Sequence, residues 1–195
     1  MNAKAVLELI ENLAVLKNLP RTGWALRGIT NCESIADHCF RMSFLSMLLA
    51  DVLIEQGVPL DAAKVMRMAL LHEIGEARLS DIPVLALRYL PAEAKFTAEQ
   101  AAIEAMLCEF GPLSEKYRML WLEFEEASTL EGKLVRAVDK LEMMIQVYEY
   151  EKIGYRCVDD FWLNPNIRRD FVVNPLVQDI MALLEERRQV VRGKG

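Results

Sequence analysis

Apolar residues return along most of this chain at the three- and four-residue spacing of a helix face. Val6, Leu9, Ile10, Leu13 and Leu16 form the first such stripe, which stops near Pro20. A polar connector from Arg21 to Asn31 follows, carrying Trp24 and Arg27. Ser34-Ile-Ala-Asp37 then reads as a capping box, in which a hydroxyl and a carboxylate satisfy free amide donors at a helix start. The helix it opens runs to about Gln56, with His38, Met42, Leu45, Leu49 and Val52 along one face, and Gly57 and Pro59 end it. Asp61 caps a third helix that passes through Val65, Met68, Ala69 and His72. Gly75 and Pro83 bracket its end and a short turn or helix.

Further helices are expected over about 91–110, 114–127, 130–152 and 176–192, with a clear break at Gly111-Pro112 and a mixed segment over 154–175. No strand-like alternation of useful length occurs. The pattern predicts an all-α fold, a single compact bundle of about six to eight helices over residues 1–195. The basic residues Arg187, Arg188, Arg192 and Lys194 are expected to complement the dipole at the end of the last helix.

Composition narrows the functional classes. Apolar residues make up 53% of the chain, which excludes disorder, and glycine and proline are sparse at 9 and 7, which suits long helices. The net charge of −6 gives no general attraction to nucleic acid or an anionic membrane. A phosphorylated substrate would therefore need a local cation, either a metal or a few arginines. Cys32, Cys39, Cys108 and Cys157 form no C-x-x-C pair, and the start Met-Asn-Ala-Lys has no apolar leader. Free thiols in a reducing cytoplasm are the expected setting. No apolar run reaches the roughly 20 residues of a membrane span.

The chemistry concentrates in Leu71-His72-Glu73-Ile74-Gly75-Glu76-Ala77-Arg78-Leu79-Ser80-Asp81-Ile82-Pro83. His72 and Glu76 stand four apart, and Glu73 and Glu76 three apart, so on a continuous helix each pair shares a face. The only other histidine, His38, lies on the apolar stripe of the preceding helix. Asp139 falls in an apolar row with Val135, Met143 and Val147, and a carboxylate in such a row needs a cationic partner or a metal. Two imidazoles and two carboxylates suit a divalent ion such as Mn, Co, Fe, Ni, Zn or Mg. Such an ion makes hydroxide available near neutrality. Glu76 or Asp81 would then orient the nucleophile, protonate a leaving oxygen or bind a second ion. A zincin motif is absent because position 76 is Glu, and a ferritin-like Glu-x-x-His is absent because Ile35 and Ala69 precede the two histidines by three.

The ordered set His38, His72-Glu73 and Asp139 resembles the signature of the HD-domain metal-dependent phosphohydrolases. The resemblance narrows to their 5′-deoxynucleotidase branch on Leu-Pro-Arg-Thr-Gly-Trp at 19–24, Glu-Ser-Ile-Ala-Asp-His at 33–38, and Glu76 with Asp81-Ile-Pro. Trp121-Leu-Glu-Phe-Glu-Glu and the run from Asp139 to Glu151 add to it. It implies an HD-domain helical bundle with its metal-site core over about 31–152, and removal of the 5′-phosphate from deoxynucleoside monophosphates by water bound to the ion. By that likeness His38, His72, Glu73 and Asp139 hold the first ion, and Glu76 activates water. Asp81 contacts the sugar or helps bind a second cation, and Trp24 lies beside the sugar. Arg21 and Arg27 are candidates for the phosphate, and the family's habit of pairing through helices implies a homodimer. One departure stands out: Glu73 occupies the place of the usual aspartate, and the extra methylene moves its carboxylate by about 1.5 Å. The rival readings are an HD-type enzyme for a cyclic or pyrophosphorylated nucleotide, and a non-catalytic helical dimer that binds nucleotide or metal through a degenerate site.

Overall fold

A computed structural model of the chain describes residues 3–193; the basic Lys194 lies outside them. Among the described residues the protein is all-α, with one isolated bridge between Pro20 and Ser34. Seven helices are ten residues or longer: α1 (Ala3–Leu13), α3 (Ile35–Glu55), α4 (Ala62–Leu71), α7 (Ala94–Leu107), α8 (Pro112–Glu126), α9 (Leu130–Lys152) and α12 (Pro175–Arg192). Five single turns fill the connectors: α2 (Thr22–Ala25), α5 (Glu76–Leu79), α6 (Val84–Leu87), α10 (Asp159–Leu163) and α11 (Pro165–Arg168). These are too short for apolar periodicity to reveal. Among the described residues no helix is long and apolar enough to cross a membrane.

The helix starts follow local chemistry. Ser34 N donates to Asp37 Oδ2 at 2.9 Å and Asp37 N donates to Ser34 Oγ at 3.1 Å, the reciprocal bonds of a capping box. The donors from Ser34 hold the Asp37 carboxyl below its ordinary range. Asp61 Oδ1 accepts from Lys64 N at the start of α4, and Thr129 Oγ1 accepts from Gly132 N at the start of α9. Asn174 caps α12 with Pro175 in its first turn, where a missing N–H costs nothing.

The chain divides into two compact units, residues 1–40 with 67–123, and residues 41–66 with 124–195. In the first, Ala5, Ile74, Ile103, Met106, Leu107, Phe110 and Trp121 form a buried cluster, and Phe96 stacks on Trp121 at 5.3 Å. This cluster sets α5 and the turn before it against α1 and α7.

In the second unit α9 packs on α12 and on the 3₁₀ turn Arg169–Val173. Val135, Val138, Leu141, Met144 and Val147 are fully covered there, as are Glu142 and Glu151. Each buried carboxylate has its cation. Arg41 reaches Glu142 with Nε at 2.6 Å, Gln146 with Nη2 at 2.5 Å and Glu149 with Nη1 at 2.7 Å, so one guanidinium gathers three successive turns of α9. Arg188 grips Glu151 with Nε at 3.0 Å and Nη2 at 3.0 Å, and Arg192 Nη2 adds 2.6 Å. Arg188 also lies over the Trp162 ring at 4.5 Å. The end of α12 thus neutralises a specific buried acid, a more local role for Arg188 and Arg192 than the dipole pairing expected from sequence.

Candidate metal centre

The first unit gathers most of the predicted site. His38, one turn into α3, is fully buried, and His72, just past the end of α4, is 4% exposed. Their rings meet edge-to-face with centroids 5.4 Å apart, and Nε2 faces Nε2 at 3.3 Å. His72 Nδ1 is 2.8 Å from the carbonyl of Ala69. A carbonyl only accepts, so Nδ1 carries the proton and Nε2 presents its lone pair inward. The ligand atoms of His38, His72 and Glu73 all lie within 4.8 Å of one another. The longer glutamate therefore still brings an oxygen to the imidazoles.

A shared helix face for His72 and Glu76 would require one continuous helix across them. In the structure α4 stops at Leu71, residues 72–75 are turns, and α5 begins at Glu76. The turns are closed by Ile74 N to Leu71 O at 3.2 Å and Glu76 N to Glu73 O at 3.1 Å, with Ile74 sunk in the core cluster. The break redirects the acids and makes the helical spacing of these residues an incomplete guide to their geometry.

Glu76 is 3% exposed, and its Oε2 is buried without a hydrogen-bond partner. Burial first, then the neighbouring carboxylates of Glu73 and Asp81, push its pKa up to about 10. Two imidazole Nε2 atoms with the Glu73 carboxylate, and an orphaned oxygen on the neighbouring Glu76, make a donor set that fits a divalent cation of the N/O-preferring kind. Arg21 Nη1 donates to Glu73 Oε1 at 2.8 Å and offsets part of the negative charge.

Asp81 is anchored twice to the connector before α3. Its Oδ2 accepts from Thr22 N at 2.6 Å, and its carbonyl accepts from Thr22 Oγ1 at 2.9 Å. The preceding Ser80 has φ 61° and ψ 170°, a conformation suited to glycine. Ser80→Gly should stabilise the protein by about 1 kcal/mol, since relief of strain exceeds the added freedom of the unfolded chain. A shift of the urea midpoint reads this out, and an unchanged or lower midpoint would contradict it.

Trp24 is 2% exposed, and its Nε1 donates to Glu33 Oε1 at 2.9 Å. It is thus seated in the protein interior by a carboxylate that the sequence did not single out. Arg27 Nη1 donates to the carbonyl of Gly23 at 2.6 Å, one turn back. Asp139 belongs to the second unit, half-buried on α9 one turn before Glu142. Besides Glu33, the structure brings forward Thr22, Lys95 and Glu99, whose polar side chains look like ordinary surface groups in sequence.

A family model described as HD domain matches residues 13–172. The protein is 36% identical over 188 residues to 5′-deoxynucleotidase HDDC2 of Dictyostelium discoideum, covering 94% of this chain and 98% of that one. It is 34% identical to 5′-deoxynucleotidase hdd1 of Schizosaccharomyces pombe, covering 97% and 95%. Among solved structures, a conserved hypothetical protein from Pyrococcus furiosus superposes with a TM-score of 0.78 at 38% identity, over 94% of this chain and 99% of that chain. The PH0347 protein from Pyrococcus horikoshii gives 0.75 at 35%, over 92% and 96%. With a family model spanning most of its length and full-length relatives above 30% identity, this chain belongs to the HD-domain family.

Proposed function

We propose that this protein is a metal-dependent phosphomonoesterase that removes the 5′-phosphate from deoxynucleoside monophosphates. The observation that carries the reading is the meeting of His38 and His72 at 3.3 Å with a Glu73 oxygen within reach, Glu73 in turn neighbouring the buried Glu76. The names of the 5′-deoxynucleotidase relatives supply the substrate class.

In this reading His38, His72, Glu73 and Asp139 hold a divalent ion, Asp139 being assigned by its place in the family signature. When bound, the ion supplies positive charge for the phosphate and acidifies water near neutrality. Glu76 favours ionisation once a cation stands beside it, and its carboxylate then accepts the proton of the water that attacks phosphorus. The P–O5′ bond breaks, and the nucleoside oxygen leaves with the proton that Glu76 took from the water. Arg21 stabilises charge on the phosphoryl oxygens. Arg27 is a second candidate for that role, with its guanidinium first leaving Gly23. Asp81, fixed by Thr22, contacts the sugar or shares a second ion with Glu76, and Trp24 borders the sugar.

Phe40, Phe44 and Leu48 are exposed at 76%, 56% and 47% and fall at four-residue spacing on α3, an apolar stripe suited to a second copy of the chain. The four described cysteines are free, which agrees with a reducing cytoplasm.

The decisive experiment measures phosphate release from deoxy- and ribonucleoside monophosphates across Mn, Co, Fe, Ni, Zn and Mg. Turnover is expected with deoxynucleotides, abolished by chelation and restored by adding back an ion. Absence of turnover with every ion, together with no metal in the purified protein, would refute the reading. Turnover only with cyclic or pyrophosphorylated nucleotides would move the substrate class.

A further inference from the structure

We propose that Lys95 is a substrate-binding residue of this site, its ammonium held ready on Glu99 and transferred to the phosphate of the incoming monoester. The proposal rests on the phosphomonoesterase reading above and names a residue which that reading did not use.

The need comes from charge. Glu73, Glu76 and Asp81 would all face a phosphate dianion, and the cations assigned from sequence have other partners. Arg21 is bonded to Glu73 at 2.8 Å, and Arg27 has Nη1 on the Gly23 carbonyl at 2.6 Å.

Lys95 comes from another element, the first turn of α7, with Nζ 2.6 Å from Glu99 Oε1. Glu99 is 6% exposed and packs directly on the turn that joins Glu73 to Glu76. A Cβ added at Gly75 would lie 3.4 Å from Glu99 Cβ and 3.5 Å from its Cα and Cγ, ordinary contact distances that place α7 directly against this turn. The Lys95–Glu99 pair is therefore built against the backbone of the acidic turn. The lysine side chain as a whole stays 32% exposed, so it is not sealed from solvent as Glu99 is.

Electrostatics agree with the placement. Burial alone would lower the ammonium pKa, but Glu99 outweighs it, and Glu73 and Glu76 add to the upward shift. Lys95 is therefore charged throughout the physiological range and already feels the carboxylates of the site. A lysine is a compact charge on a flexible stem, suited to exchanging one oxyanion for another. A phosphate dianion offers more charge and more acceptor oxygens than the single carboxylate it would replace.

The test uses the protein loaded with its most active divalent ion. Calorimetry measures the affinity for inorganic phosphate and for the ion, and initial rates give kcat and KM for a deoxynucleotide. K95M alone strands buried Glu99, so K95M/E99Q is made beside it, with K95R as the conservative variant. Loss of a charge-assisted contact predicts phosphate Kd and KM at least tenfold higher in K95M/E99Q. Metal affinity should be unchanged, and K95R should stay within about threefold of wild type. Phosphate Kd and KM within twofold of wild type in K95M/E99Q would overturn the assignment while leaving the phosphomonoesterase reading intact. A wild-type protein that releases no phosphate from any nucleotide would remove that reading, and Lys95's role with it.

Discussion

Glu76→Gln leaves the protein folded and removes most of its turnover, by a factor of about 10²–10⁴, the range for loss of a general acid–base group. Glutamine fills nearly the same volume in a position only 3% exposed, so packing is retained. It cannot accept the proton of an attacking water. The same substitution has a second signature in metal-free protein, where the Glu76 pKa stands at about 10 against an ordinary 4.5. Between those values the folded state keeps a proton that the unfolded state has released. The contribution of Glu76 to native stability therefore falls as pH rises from about 4.5 towards 10. Glu76→Gln abolishes that share of the slope and is expected to be the more stable protein under chelation at pH 8. Urea titrations at pH 5 and pH 8 with chelator, paired with phosphate-release rates, check both halves. Equal turnover in the two proteins would take Glu76 out of the mechanism, and parallel pH slopes would show that its burial costs nothing.

Arg41→Met is expected to cost about 3–5 kcal/mol, the range found when one partner of a buried ion pair is removed. The carboxylate of Glu142 is wholly inaccessible to solvent. Methionine copies much of the arginine stem but leaves Glu142 and Gln146 without the guanidinium that now joins them. The contact with Glu149 matters less, because that side chain is 46% exposed and water can replace it. Replacing both partners, as Arg41→Met with Glu142→Leu, should recover most of the loss, since a well-packed apolar pair is often equivalent to a buried ion pair. Chemical denaturation followed by circular dichroism measures each variant. A single-mutant loss below about 1 kcal/mol, or no recovery in the double mutant, would mean that the network does not hold α3 to α9.

The sequence spoke clearly where a signal was local. The reciprocal bonds of Ser34 and Asp37 lie three residues apart, and the stripe on α9 recurs over six turns, so both could be read from spacing. The two histidines were conspicuous because the chain has no others. Spacing misled at His72 because the helix ends one residue earlier, and the direction of Glu76 is set by Ile74 entering a core built from α1, α7 and α8. Lys95 with Glu99 reads as a routine exposed pair four apart; only the approach of α7 to Gly75 gives it a setting. Arg41 could not be noticed at all, since its partners are about a hundred residues away. Local chemistry is written in neighbouring letters, whereas partnerships across the chain depend on packing that a single sequence does not display.

The double bond between Thr22 and Asp81 ties the connector that carries Trp24 to the strained corner after α5. Trp24 and Asp81 therefore do not have independent settings. On the proposed roles of these two residues, a substitution that moves the tryptophan backbone to suit a different pentose pulls on the aspartate as well. Attempts to retune sugar preference in this scaffold would thus meet a mechanical linkage, and selectivity and catalytic rate would drift together unless Thr22 were changed in the same step.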